Sequence, residues 1–230
     1  SDLAIYAKPK EKTFLPLFLI SIAFCSFANM AVSFAGGIFE QFGFNYNVDF
    51  GEYPTGFFGF LLATFSTAIV PPLVEEFACR GLILGSLRKF GDGFAIIVSS
   101  VLFGIMHGNF EQMPFAFLVG LVLAYVTVKS GSLWVAVAVH SFNNFVSVIF
   151  NYLPNTLSDT AENIIYTLFL AVVMLLGLLA VFLYHKNIGD YGIKKSETEN
   201  STAFLSFSKT AITYFIIIFV INHEHILHSL

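Results

Sequence analysis

The sequence predicts an all-α fold, a polytopic bundle of about seven membrane-spanning helices, and three observations predict it. Hydrophobic residues fill 57% of the 230 positions, 29 of them Phe. Charged residues fill only 11%, against about 25% in ordinary soluble chains, and the mean hydropathy is +0.79. The apolar residues also fall in runs long enough to cross a hydrocarbon core, which takes about 20 residues of helix. So few polar groups cannot cover a water-facing surface of this size, and lipid is the solvent for most of the chain. Eleven Lys and Arg against 15 Asp and Glu leave a net charge of −4, which argues against nucleic acid as a partner.

The first run, 14–35, is too long for a signal-peptide core and lacks an A-x-A cleavage site, so it is read as a retained span. The second, 55–87, exceeds one straight crossing and holds Pro71-Pro72, where a ring without a backbone donor should kink or restart the helix. The third, 94–107, is short. The fourth and fifth, 113–128 and 133–153, are separated by a brief polar break, and the sixth, 164–184, is almost free of polar residues. A seventh, 211–221, is short like the third. Between the last two runs lies the only soluble-looking stretch, a cytoplasmic linker over 187–209. No internal repeat is visible, so residues 1–230 read as a single membrane-embedded domain. Cys25 and Cys79 lie inside apolar runs and read as small buried hydrophobes. His223, His225 and His228 read as a solvated tail.

Cytoplasmic loops retain Lys and Arg, and here every alternate loop is basic. Lys8, Lys10 and Lys12 precede the first span, Arg88 and Lys89 follow the second, Lys129 the fourth, and Lys186, Lys194, Lys195 and Lys209 the sixth. The intervening loops carry Glu40, Asp49, Glu52, Glu111, Asp159 and Glu162 and no basic residue. A multi-pass protein of the cell membrane with a cytoplasmic N-terminus fits this pattern. Arg80 alone among the basic residues sits inside a span.

Ionisable groups near the bilayer centre cost about 2.5 to 3.5 kcal/mol each on insertion scales, so the exceptions to the apolar pattern carry the information. Glu75, Glu76 and Arg80 interrupt the second run, His107 ends the third, and His140 lies in the fifth with Asn143 and Asn144 behind it. At 1.5 Å per residue, Glu75 lies about 20 Å from the level of Arg88, His107 about 21 Å from that of Gly93, and His140 about 12 Å from that of Ser132. Three segments thus put their unusual residues at similar depth. Glu76 and Arg80 are four apart and meet on one helix face, while Glu75 points about 100° away. Phe103 and His107 share a face at the same spacing, as do His140 and Asn144. Pro71-Pro72 ahead of the acidic pair suits a helix start, whose positive dipole end favours carboxylates.

A carboxylate and an imidazole at one site can take a proton from water, and a second His with an Asn amide can donate to a developing oxyanion. Glu75, His107 and His140 are also a workable zinc set, so zinc is a candidate cofactor and a metal-free reaction stays open beside it. The competing readings are a buried ion pair with hydrogen-bonded histidines holding helices together, and a proton or ion pathway.

Glu75-Glu76-x-x-x-Arg80, Phe103-x-x-x-His107 and His140-x-x-x-Asn144 resemble the three ordered motifs of the CPBP (Abi) family of intramembrane proteases, which includes the type II CAAX prenyl endopeptidases. The similarity covers a motif core of about 71–150. It implies an endopeptidase in which Glu75 and His107 activate water, His140 and Asn144 stabilise the oxyanion, and Glu76, Arg80, Phe103 and Asn143 support them. The partners it implies are membrane lipid and a membrane-associated or lipidated peptide or protein substrate. Members are described both as metalloproteases and as glutamate-dependent proteases. A non-proteolytic bacteriocin-immunity or scaffold role on the same fold is the alternative.

Overall fold

Backbone groups in hydrocarbon must be satisfied within their own segment, which makes helix the outcome for these apolar runs. The computed structural model describes residues 11–43, 55–109, 112–152 and 157–187. They form α1 (Glu11–Gln41), α2 (Gly56–Phe90), α3 (Asp92–Met106), α4 (Gln112–Ser130), α5 (Leu133–Tyr152) and α6 (Asp159–Asn187). All but α3 are long and apolar enough to cross a membrane. The 15 residues of α3 rise about 22 Å, short of a hydrocarbon core of about 30 Å. Six of the seven expected runs are therefore helices. The seventh run, the linker beyond Asn187 and the His223 to His228 tail lie outside the described residues.

Successive helices run in opposite directions. Leu84 of α2 packs with Ala95 and Ile96 of α3, and Cys79 meets Met106. Gly104 of α3 faces Met113 and Phe117 of α4, while Gly120 faces Ser100. Phe77 of α2 stacks edge-on against Trp134 of α5, and Phe60 against Tyr152. In α1 and α6, Gly177 faces Ala23 and Tyr166 faces Asn29. The alternation brings Arg88, Lys89, Lys129 and Lys186 to one end of the bundle.

Helices in lipid approach closely only where small side chains let them. A Cβ on Gly120 would sit 3.2 Å from Ser100, and one on Gly104 3.1 Å from the Met113 carbonyl, so both glycines set the α3–α4 spacing. Buried Ser100 and Thr127 return their hydroxyls to helix carbonyls at 2.6 and 2.8 Å. Outside, Phe34, Phe57, Phe58 and Phe182 are exposed, as a lipid-facing surface requires.

The proline pair does not restart a helix. α2 runs unbroken through it, with π-wound turns over Thr64–Ile69 and again over Phe77–Leu84. A wider turn makes room for the ring that would strike the carbonyl four residues back. There is accordingly no free helix N-terminus beside Glu75 and Glu76, and the dipole argument for their ionisation does not apply. At the end of α3 the chain turns at Gly108, whose φ of +69° suits a residue without Cβ.

Candidate active site

Arg80 and Glu76, one helical turn apart on α2, are both fully buried. Arg80 Nη1 donates to Glu76 Oε1 at 3.3 Å, and its Nη2 to the Gly120 carbonyl at 3.0 Å. Nε and Oε2 lie 3.1 Å apart but are misaligned, an ionic contact and not a hydrogen bond. The guanidinium also sits 4.4 Å over the Phe103 ring, which disperses its charge on a π face.

Glu76 reaches a second element. Its Oε1 lies 2.9 Å from His140 Nδ1 on α5, and a carboxylate facing Arg80 can only accept, so Nδ1 carries the proton. His140 Nε2 is thereby aimed at Glu75, 3.9 Å from Oε2. That oxygen is buried without a hydrogen-bond partner, although the Glu75 side chain as a whole is 27% exposed. At 3.9 Å the two atoms do not bond directly, yet one water can lie within about 2.6 to 3.2 Å of both.

His107 caps α3. Its Nδ1 is 2.8 Å from the Phe103 carbonyl, which can only accept, so Nε2 is left as the basic nitrogen of the neutral ring. Phe103 meets both imidazoles edge-on, at 5.0 Å to His107 and 5.6 Å to His140. Asn144 donates to the Thr67 carbonyl at 3.0 Å. This is the carbonyl four residues before Pro71, which has no N–H to offer it. Asn143 in turn donates to Asn144 at 3.4 Å.

Glu75, Phe103, His107, His140, Asn143 and Asn144 line one cavity of about 770 Å³. Glu76 and Arg80 stand behind it. The shortfall in the depth of His140 has a simple cause, since Ser132 and Leu133 are fully buried and do not mark a membrane surface. Among the described residues no three His, Cys, Asp or Glu are arranged to hold one metal ion. Glu75 and His140 are near enough to share an ion, but a third donor is not in place, and structural and catalytic zinc sites use at least three protein ligands. The placement does not fit a resident zinc.

The cavity also has walls outside the three motif-bearing helices. Ser26, Asn29, Ser33, Gly37 and Glu40 of α1 and Tyr166 of α6 line it. The signal was present as a polar face at helical spacing along an otherwise apolar run.

Residues 57–146 match the model of a family described as type II CAAX prenyl endopeptidase Rce1-like. The membrane-embedded CAAX protease MroQ of Staphylococcus aureus (strain USA300) is 32% identical over 116 residues, 46% of this chain and 47% of that protein. A candidate membrane peptidase, YdiL of Bacillus subtilis (strain 168), is 32% identical over 89 residues, 38% of this chain and 36% of that protein. The chain thus spans about half the length, or less, of the curated relatives it matches. No solved structure matches. The Rce1-like segment takes in α3 and α4, nearly all of α2 and most of α5, while α1 and α6 lie outside it.

Proposed function

We propose that this chain is an intramembrane endopeptidase that hydrolyses a peptide bond of a membrane-associated or lipidated substrate. The observation that carries the reading is the unpartnered, buried Oε2 of Glu75, facing His140 Nε2 across 3.9 Å in a cavity shared with His107. A buried acceptor is costly to leave without a donor, and this one, on a side chain that lines the cavity, can take its donor from a water or a substrate there. The family match supports hydrolysis of a peptide bond as that work, and both relatives are described as peptidases, which does not favour the immunity or scaffold alternative.

In this reading Glu75, with His107 Nε2, takes a proton from water as its oxygen adds to the scissile carbonyl. His140 holds the resulting oxyanion through Nε2–H, so it acts as the imidazolium, with Glu76 accepting from Nδ1–H. Asn144 has two amide hydrogens, one given to Thr67 and one left for the oxyanion. Collapse of the adduct breaks the C–N bond, and the proton taken from water passes to the leaving amine. The protein lies multi-pass in the cell membrane with its N-terminus on the cytoplasmic side, since the basic helix ends share one face of the bundle.

The test is a peptidase assay of the purified chain in lipid on membrane-tethered peptides, with and without a zinc chelator. Cleavage that survives chelation but is lost in Glu75→Gln supports a metal-free, glutamate-dependent reaction. Cleavage lost with the chelator and restored by zinc overturns the metal-free part of it.

A further inference from the structure

The cavity extends well beyond the groups that do the chemistry, and only in one direction. From His140 its wall continues along α5 through Asn143 and Ser147 to Asn151. The eleven steps from His140 to Asn151 rise about 17 Å. On α1 the wall runs from Ser26 through Asn29 and Ser33 to Glu40, about 21 Å by the same rise. The two helices are parallel, because Phe18 packs on Phe142 while Tyr166 reaches both Asn29 and Phe150 farther along. Two polar faces thus lead from the catalytic groups to the bundle end opposite Arg88, Lys89, Lys129 and Lys186. None of those four basic residues lines the cavity.

Beyond the two histidines, the charge along this path has one sign. Glu40 and Glu75 are the carboxylates among the described lining residues, with no Lys or Arg beside them. The described residues at that end also include Asp159 and Glu162 in the first turn of α6, and no Lys or Arg. Membrane topology accounts for the missing Lys and Arg but not for the acids, which contribute little to orientation.

We infer that this outer half of the cavity is a binding site for an extended peptide segment bearing a Lys or Arg, which pairs with Glu40. The inference rests on the endopeptidase reading and adds the class of substrate. Hydroxyl and amide groups on both walls can exchange hydrogen bonds with a backbone that has left water. Tyr166 sets Asn29 level with Phe150, ten residues beyond His140, and Glu40 lies eleven residues farther, about 31 Å from the catalytic groups in all. An extended chain advances about 3.3 Å per residue, so the basic residue sits about nine or ten positions from the scissile bond. Selection then resides in α1, outside the Rce1-like segment that supplies the reacting groups.

The experiment uses the full chain in lipid vesicles and acylated peptides in which one Lys, or one Glu, is moved along the chain from about three to about thirteen residues from the cleaved bond on either side. Cleavage by the wild type should be fastest with Lys at about nine or ten positions on one side, by about two- to fivefold over a neutral residue. Glu40→Gln should flatten the profile and Glu40→Lys should make the Glu peptide preferred. Binding of the same labelled peptides to Glu75→Gln, read by anisotropy, should show the same dependence and weaken with salt. Gly37→Leu supplies a test without charge: a Cβ there meets nothing within 4 Å, so the helix tolerates it while the side chain obstructs the path, and peptide binding should fall. A Lys preference unchanged in Glu40→Lys overturns the inference, as does undiminished binding to Gly37→Leu. If no peptide is cleaved by the wild type but Glu40-dependent binding is observed, the endopeptidase reading fails and this one stands. Cleavage without any Glu40-dependent preference gives the reverse.

Discussion

Glu76 is the residue on which the geometry of the site turns, because it accepts from Arg80 on its own helix and from His140 on another. The sequence made the first contact legible, since a carboxylate and a guanidinium four apart on one helix have few other places to go. The second was not legible, because no local spacing relates residues on different helices. Removing one partner of a fully buried pair leaves the other charge uncompensated. Glu76→Gln should therefore destabilise the protein by about 3 to 5 kcal/mol, read as a lower midpoint of thermal unfolding in detergent. Glu76→Leu combined with Arg80→Met, which leaves neither charge, should be more stable than either single variant. A double variant as unstable as the sum of the singles would show that the pair is not acting as a unit. His140 needs Glu76 for its orientation, so catalysis should stay low in the double variant even where stability recovers.

At the scale of the helix, Pro71 and Asn144 form one device. The proline frees the Thr67 carbonyl, and the Asn144 amide satisfies it from α5. An unsatisfied, fully buried acceptor costs about 1 to 3 kcal/mol, and this contact is part-buried at the cavity wall, so Asn144→Ala should destabilise by no more than about that amount. Pro71→Ala restores an N–H four residues after Thr67, and in that background the cost of Asn144→Ala should shrink, as a double-mutant cycle would measure. An unchanged cost would mean that the Thr67 carbonyl is satisfied in some other way. The sequence marks both residues as unusual but predicts a break at the prolines. The helix instead absorbs the ring by widening its turns, an outcome that depends on a donor arriving from a neighbour and is therefore invisible to local rules. Gly104 and Gly120 show the same limit. Their part in α3–α4 packing comes from what faces them, and Gly120→Leu should push the helices apart and cost about 1 to 3 kcal/mol.

For the whole molecule, the scarcity of charge was enough to read an all-helical membrane bundle, and the few charges inside it marked where the cavity lies. The outer wall on α1 and α6 was not read, because Ser, Asn and Tyr are unremarkable singly and become a wall only when two helices present them to one space. Orientation can be checked directly. In a chain with Cys25 and Cys79 replaced by Ala, Glu40→Cys should react with a membrane-impermeant thiol reagent added to intact cells and Lys89→Cys should not; the opposite pattern would invert the assigned topology. The central claim is that Glu75 acts on water at this site. Its most direct measurement is cleavage of a membrane-tethered peptide by purified wild type and Glu75→Gln, both shown by thermal unfolding to be folded. Loss of a positioned proton acceptor should lower the rate by about 10² to 10⁴-fold; equal rates for the two proteins would contradict the account.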